Sequence, residues 1–195
     1  MDLTEKVLDF WFGEIDLTKD LTAREIWFKS TLKFDQEIRE LFFYDYKDAL
    51  AGQLDHMKKT QNSCLAFIII LDQFSRNLFR ESPQAFAADP KAREATYYAI
   101  TKGFDKGISR VAKLFFYLPL EHSEILADQK KSVKLHNLIN EKKFSKAATE
   151  HYNTILRFGR FPHRNATLGR KNTPEEDVYL KNPQKWEKLD RKSNP

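Results

Sequence analysis

Two polar motifs in the sequence contain the residue types best suited to chemistry. The first is Asp-Gln-Phe-Ser-Arg-Asn at residues 72–77, directly after the apolar stretch 64–71. Asp72 and Arg76 are four positions apart, so on a helix they share one face and can pair. Burying either charge costs several kcal/mol, so both need further hydrogen bonds. The motif therefore predicts either a structural ion-pair network or a polar pocket lined by Asp72, Gln73, Arg76 and Asn77.

The second motif follows a predicted helix end and is dense in hydrogen-bond donors. Its donors are Arg157, Arg160, His163, Arg164 and Asn165, with Arg170 shortly after them. Arginine presents a planar fork of donors that matches a carboxylate or a phosphate. The cluster suits a small anionic ligand or an acidic peptide. The alternative is that these arginines neutralise acidic side chains of the same protein, and the sequence leaves both open.

A third polar element, Glu121-His-Ser-Glu124, is predicted to lie at the edge of the core. On a helical projection Glu121 and Glu124 share one stripe, and His122 lies on the neighbouring apolar face. A histidine in that position is either a hydrogen-bonded core residue or a catalyst. The enzyme alternative is a hydrolase in which His122 or His163 is the general base and the arginines stabilise negative charge.

The sequence contains no recognisable metal or cofactor motif. The five histidines make no His-x₃-His or His-Glu-x₂-His spacing, and Cys64 is the one cysteine. A phosphate-binding glycine loop and a dinucleotide fingerprint are also absent, so no metal and no cofactor are expected. The net charge of +5 comes from 33 basic and 28 acidic residues. Nucleic-acid binding through a basic face would need a more continuous positive surface than this mixture provides.

Capping signals indicate where helices begin and end. Asp2 with Glu5 three residues later resembles a capping box, and it opens a first helix that ends at Gly13. Thr22 with Glu25 repeats the signal and predicts another helix. Later helix boundaries are predicted at Gly52, Asn62, Pro83, Pro90, Gly103, Ser109, Pro119, Ser145, Gly159 and Thr173.

The stretch 65–71 is apolar on every side, which predicts a helix surrounded by other helices and continuing to Phe79. Strand patterns and long linkers are absent elsewhere. We therefore expect an all-α fold of about eight or nine helices stacked as antiparallel pairs. These helices form one domain over residues 1–181, followed by a polar, basic tail over residues 182–195.

Composition also bears on where the protein resides. A single cysteine excludes an internal disulfide and is consistent with a reducing compartment. The first residues show no secretory signal, and the longest apolar stretch has eight residues, against about 20 for a membrane span. The sequence predicts a cytoplasmic protein without a membrane segment, and it gives no indication of the oligomeric state.

Several ordered segments carry a resemblance to a known family. They are Val7-Leu-Asp-Phe-Trp-Phe-Gly13, Leu71-Asp-Gln-Phe-Ser-Arg-Asn77, Asp89-Pro90, Tyr117-Leu-Pro-Leu-Glu-His-Ser-Glu124, Ala127-Asp-Gln129 and Arg157-Phe-Gly-Arg-Phe-Pro-His-Arg-Asn165. Together they resemble the uncharacterised family catalogued as domain of unknown function 924. The resemblance implies a tetratricopeptide-like helical stack and brings no established reaction. Ser75 stands where the family usually has Pro, and Met57 where it often has Trp.

The leading hypothesis from the sequence is a helical, repeat-like binding module. Its pocket combines Asp72, Arg76 and Asn77 with the segment 121–124 and the arginine-rich loop. The expected ligand is a small anion or an acidic peptide end.

Overall fold

The described part of the chain is helical throughout. The structure is a computed structural model, and it describes residues 1–27, 29–184 and 187. These residues form eight α-helices and no β-strand, so the predicted all-α fold is confirmed. The helices are α1 (Leu3–Phe12), α2 (Leu32–Ala51), α3 (residues 61–78), α4 (Asp89–Lys102), α5 (Arg110–Glu121), α6 (Leu126–Ile139), α7 (Lys142–Phe158) and α8 (Pro174–Leu180). Short 3₁₀ helices lie at Glu25–Trp27, Asp55–Lys59, Pro83–Phe86 and Pro162–Arg164.

Helix α3 is the buried helix that the apolar stretch predicts. It is α-helical over Gln61–Ile68, widens into a π-helical turn over Ile69–Phe74, and ends as an α-helix over Ser75–Leu78. Every residue from 64 to 72 is at most 1% exposed. A helix apolar on all sides is stable only when other elements cover it. Helices α1, α2, α4 and α5 all pack against α3.

An aromatic cluster forms the centre of the core. Phe115 of α5 packs edge-on against Trp11 of α1, with ring centroids 5.5 Å apart, and against Trp27 at 4.9 Å. Phe74, in the π-helical turn of α3, lies 5.6 Å from Trp11 and 4.7 Å from Phe42 of α2. Because the rings join five parts of the chain, they fix the position of α3 relative to α5.

Consecutive helices pack together in the second half of the chain. Helix α5 packs against α4 and α6, and α6 packs against α7, while α5 also packs against α3 and α7. The C-terminal ends of α3 and α5 are therefore brought to the same region. This packing places the first motif beside the segment 121–124.

Four predicted helix boundaries were wrong. The boundary predicted at Asn62 is one of them, since α3 begins at Gln61 with Thr60 as its N-cap. Thr22 and Glu25 precede only the 3₁₀ turn Glu25–Trp27, not a longer helix. Pro119 lies inside α5, which continues for two more residues to Glu121 although the Pro119 nitrogen has no hydrogen to donate to the preceding turn. Helix α7 begins at Lys142, three residues before the predicted Ser145.

Other expectations concern the tail and the membrane. The predicted tail, residues 182–195, falls mostly outside the described residues. Its described member Glu187 is buried and accepts a hydrogen bond from the Tyr179 hydroxyl at 3.0 Å. Within the described ranges, no helix combines the length and apolar character needed to cross a membrane.

The aromatic cluster predicts a large loss of stability when a central ring is removed. We expect Phe115→Ala to lower the free energy of unfolding by about 3–4 kcal/mol, because it leaves a cavity among fully buried rings. Tyr44→Ala is the control, since the Tyr44 side chain is 76% exposed, and we expect a change within about 0.5 kcal/mol. Urea denaturation measures both, and similar losses for the two variants would contradict this account of the core.

Candidate functional site

In the π-helical turn of α3, the backbone oxygen of Asp72 accepts hydrogen bonds from side chains of the first motif. The carbonyl oxygen of Asp72 accepts from the Arg76 guanidinium at 2.7 Å and from the Ser75 hydroxyl at 3.2 Å. Turns of this type are rare in helices and are frequent at functional sites. The local geometry also brings Arg76 back over the Asp72 carboxylate, with 3.3 Å between Nη1 and Oδ1.

The Asp72 carboxylate is buried and is held by charged and polar partners. Nδ1 of His122 lies 2.9 and 3.1 Å from its two oxygens, and the Gln73 amide donates to Oδ2. Burial by itself raises the pKa of Asp72, but Arg76, His122 and Gln73 outweigh it and lower the pKa to about 2. Asp72 is therefore an ionised carboxylate at neutral pH.

Asp89 at the start of α4 connects the two motifs. Arg76 donates to both oxygens of Asp89, at 2.9 and 3.1 Å. Arg164 of the second motif lies 3.8 Å from the same carboxylate, and it donates to the backbone oxygen of His122 at 3.0 Å. The structure thus brings Asp72, His122, Arg76 and Arg164 into one continuous polar network.

Two aromatic rings hold the Arg164 side chain flat. Its guanidinium lies 4.6 Å from the ring centroid of Phe86 and 4.5 Å from that of Phe161. Arg76 lies over Phe86 as well, at 5.7 Å. Stacking of a guanidinium on an aromatic face stabilises the charge in a partly dry position and orients its donors.

A small cleft opens beside this network. It has a volume of about 50 Å³ and its walls include arginines of both motifs together with Phe86 and His163. The lining residues are Arg76, Arg80, Glu81, Ala85, Phe86, His163, Arg164 and Thr167. A space of this size holds roughly three waters or one small group of a few atoms.

Glu121 faces away from this network. Its side chain is buried between His136 of α6, with Nε2 at 3.1 Å from Oε2, and His151 of α7, with Nδ1 at 3.4 Å from Oε1. Burial, and then the negative charges of Asp72 and Glu150, raise the pKa of Glu121 to about 8. The side chains of Glu121 and His122 therefore do not share one pocket as predicted, although the two residues are consecutive.

The outer arginines of the second motif pair with acidic residues. Arg160 donates to both oxygens of Glu176 at 2.7 Å, and Arg157 donates to Glu175 at 2.8 Å. Burial opposes the ionised form of Glu124, but Arg170, which donates to both of its oxygens, and the Phe161 amide lower its pKa. These contacts attach the loop to α8 and to the turn after α5.

Asn165 and Asn77 lie away from the Asp72–Asp89 network. The Asn165 amide oxygen accepts from Arg170 at 2.9 Å, and its nitrogen donates to Asn172 at 2.8 Å. The Asn77 amide donates to Asp35 at 2.7 Å, and Asp35 also accepts two hydrogen bonds from Arg80. Both asparagines therefore support neighbouring loops.

His163 is buried and lies on the wall of the cleft, 3.4 Å from Glu187 between Nδ1 and Oε1. Among the described residues, no group of three or more His, Cys, Asp or Glu side chains is arranged to hold a metal ion.

The sequence-based selection of site residues did not include Asp89 and Phe86. An Asp directly before Pro90 predicts a helix cap at Asp89, but Ala88 occupies the cap position and the Asp89 side chain binds arginine instead. Phe86 has no polar feature to mark it. An acidic residue before a first-turn proline was the one signal that could have identified Asp89.

Comparison with known proteins places the chain in a family. The family model described as "Bacterial protein of unknown function (DUF924)" matches residues 7–184. The chain therefore belongs to this family, as the resemblance of its motifs predicts. No match was found among curated proteins.

A solved structure supports the same assignment. The chain is similar to the structure of the protein of unknown function ATU0120 from Agrobacterium tumefaciens, with 35% sequence identity and a TM-score of 0.85. The alignment covers 93% of this chain and 98% of the other. The two proteins share their fold over nearly their whole lengths.

Removal of the Asp72 charge is expected to lower the stability of the protein by an amount that depends on pH. We expect Asp72→Asn to lower the free energy of unfolding by about 3 kcal/mol at pH 7, because Arg76 and His122 lose a buried anion. The folded-state pKa lies below its usual value of 3.8, so this stabilisation is present above pH 4 and is lost as the pH falls toward 2. The difference between wild type and variant should shrink over that range in urea denaturation.

The control for this measurement is Asp20→Asn, which removes an exposed carboxylate. We expect a change within about 0.5 kcal/mol that is the same at each pH. An Asp72→Asn variant as stable as this control at pH 7 would show that the network does not stabilise the fold.

Proposed function

We propose that this protein binds a small anionic group, a carboxylate or a phosphate, in the cleft between the two motifs. The observation that carries the proposal is that Arg76 and Arg164, which both line that cleft, converge on one carboxylate, Asp89. The two arginines come from motifs about 90 positions apart in the sequence. Their convergence supports a site for two or three clustered oxygen atoms.

The walls of the cleft favour a planar or compact anion. Phe86 lies over both guanidinium groups, so their N–H edges rather than their faces are directed toward charged partners. Arg80 adds a third positive charge to the wall, and its donors are bound to Asp35. A volume of about 50 Å³ suits a terminal carboxylate or phosphate rather than a whole cofactor.

Asp89 has two consequences for such a ligand. It orients Arg76 through a two-pronged contact, and it also neutralises part of the positive charge that attracts the anion. We therefore expect weak binding of a free anion, with additional affinity supplied by the rest of a larger molecule. An acidic peptide would supply this anionic group as a carboxylate, and a phosphorylated metabolite would supply it as a phosphate.

The competing role of Asp89 gives a direct test. We expect Asp89→Asn to bind inorganic phosphate about fivefold more tightly than wild type, because one nearby negative charge is removed while an amide oxygen still contacts Arg76. Isothermal titration calorimetry with phosphate and with acetate measures the affinities. An acidic peptide that binds more tightly than acetate would identify a peptide as the source of the carboxylate.

Asp20→Asn is the control, because it removes one exposed carboxylate that does not line the cleft. Its affinity for phosphate should equal that of wild type. If neither anion binds wild type or Asp89→Asn at millimolar concentration, the proposed function is wrong.

One observation favours a second candidate, an enzyme of the hydrolase type. The hydrogen bond between His122 Nδ1 and the ionised Asp72 carboxylate is the arrangement that orients a histidine general base. It leaves Nε2 as the basic atom of the neutral ring, and 16% of the His122 side chain is exposed. Arg164 fixes the backbone at the same residue by binding its carbonyl oxygen.

The hydrolase candidate predicts that activity depends on His122 alone among the exposed histidines. With p-nitrophenyl phosphate and p-nitrophenyl acetate as substrates, we expect His122→Gln to lower kcat about 100-fold while phosphate affinity stays unchanged. The control is His56→Gln at an exposed position, which should retain wild-type rates. Equal rates for both variants would eliminate His122 as the base.

A further inference from the structure

Glu121 lies in a cluster of titratable side chains that neither proposed function uses. Its carboxyl group is enclosed between α5, α6 and α7, and it is close to the Asp72 network without sharing a hydrogen bond with it. Oε2 of Glu121 and Nε2 of His136 are 3.1 Å apart. Neither atom has another hydrogen-bond partner among the described residues, and both are shielded from solvent.

The tautomer of His136 follows from its other contact. Nδ1 lies 2.9 Å from the backbone oxygen of Ser132 and 3.1 Å from the Ser132 hydroxyl. A carbonyl oxygen can only accept, and two lone pairs at 2.9 Å would repel, so Nδ1 carries a proton and the hydroxyl oxygen is a second acceptor beside it. In the neutral ring Nε2 then has a lone pair and no hydrogen. An ionised Glu121 would place a second acceptor against this lone pair, and both atoms would be unsatisfied.

One proton between these two atoms satisfies both of them. We infer that the Glu121 carboxyl group is protonated at neutral pH and donates its proton to Nε2 of His136, forming a neutral hydrogen bond that joins α5 to α6. Oε1 of the same group then faces Nδ1 of His151, which also donates to the backbone oxygen of Ala147. The cluster thus ties the end of α5 to both following helices, and the Glu121–His136 pair within it carries no net charge.

The surroundings favour the neutral pair over an ion pair. The groups that face Glu121 are Asp72 from α3, His136 from α6, and His151 and Glu150 from α7, and the two carboxylates among them repel a charge on Glu121. Burial lowers the pKa of His136 to about 4, so the imidazole does not take the proton as a cation. A buried acid that stays neutral can donate a hydrogen bond that its ionised form cannot.

This arrangement makes the end of α5 sensitive to mild alkali. Glu121 precedes His122 directly, so ionisation of Glu121 introduces an unpaired buried charge next to the residue that binds Asp72. The unfolded chain ionises near 4.5, whereas the folded chain keeps the proton up to about pH 8. As the pH rises from 4.5 to 8, the folding equilibrium constant therefore falls by up to about tenfold per pH unit.

The protonation state can be measured directly in the wild-type protein. With glutamate labelled by carbon-13 at the side-chain carboxyl, we expect one resonance that remains protonated at pH 7 and titrates near pH 8, far above the others. Its absence from Glu121→Gln assigns it. If all glutamate carboxyl groups in wild type titrate below pH 6, the inference is overturned, whether or not the variant folds.

Stability measurements on two isosteric variants give an independent test. In Glu121→Gln the amide replaces the protonated acid, donating to His136 and accepting from His151. We expect this variant to gain stability relative to wild type as the pH rises from 5 to 8. Glu124→Gln is the control, because Glu124 is an ionised partner of Arg170. It should lose stability at pH 7, with no gain as the pH rises.

A Glu121→Gln variant that loses as much stability at pH 7 as Glu124→Gln would contradict a neutral Glu121. The inference does not depend on either proposed function. Phosphate binding and ester hydrolysis report on the cleft and on His122, whereas these measurements report on Glu121 alone.

Discussion

The burial of one ionised carboxylate determines much of the polar structure in this protein. Asp72 directly follows the fully buried apolar stretch 64–71 of α3, and its side chain is 1% exposed. A charge in that environment is unstable without partners, and each partner is a charge or dipole that must itself be fixed. Arg76 is fixed by Asp89, and His122 by the end of α5, where Arg164 binds its carbonyl oxygen. The contacts that join the first motif to the arginine-rich loop thus follow from the need to stabilise the buried charge of Asp72.

The protein stabilises two of its buried carboxyl groups, those of Asp72 and Glu121, in opposite ways. Asp72 has a guanidinium and an imidazole within hydrogen-bond distance, so the ionised form is favoured. Glu121 has two imidazoles that already donate to backbone oxygens and no guanidinium, so the protonated form is favoured. Residue type does not distinguish these outcomes, because aspartate and glutamate have similar pKa values in water. The donors that the neighbouring helices supply decide between them.

The arginine-rich loop combines architecture with a candidate site. Arg157 and Arg160 pair with acids of α8, and Arg170 pairs with Glu124, so they hold the loop in place. Arg164 alone among the arginines of the motif reaches the cleft. The pairing of the outer arginines also weakens the case for nucleic-acid binding, since a basic face requires charges that are not already neutralised. The proposed anion site accordingly rests on Arg76, Arg80 and Arg164.

The sequence by itself determined the helical class, the buried helix α3 and most helix ends, because helical periodicity, glycine at positive φ and capping boxes are local. It also identified Asp72, Arg76, His122 and Arg164 as candidates from residue type and spacing. Only the tertiary structure decided that Asp89 connects them and that Arg160 pairs with Glu176 instead. The tertiary structure also directs the side chains of the consecutive residues Glu121 and His122 to different partners, His136 and His151 for Glu121 and Asp72 for His122. Those outcomes depend on which side chains of different helices meet, and the aromatic core around Trp11, Phe74 and Phe115 sets the positions of α3 and α5 that decide this.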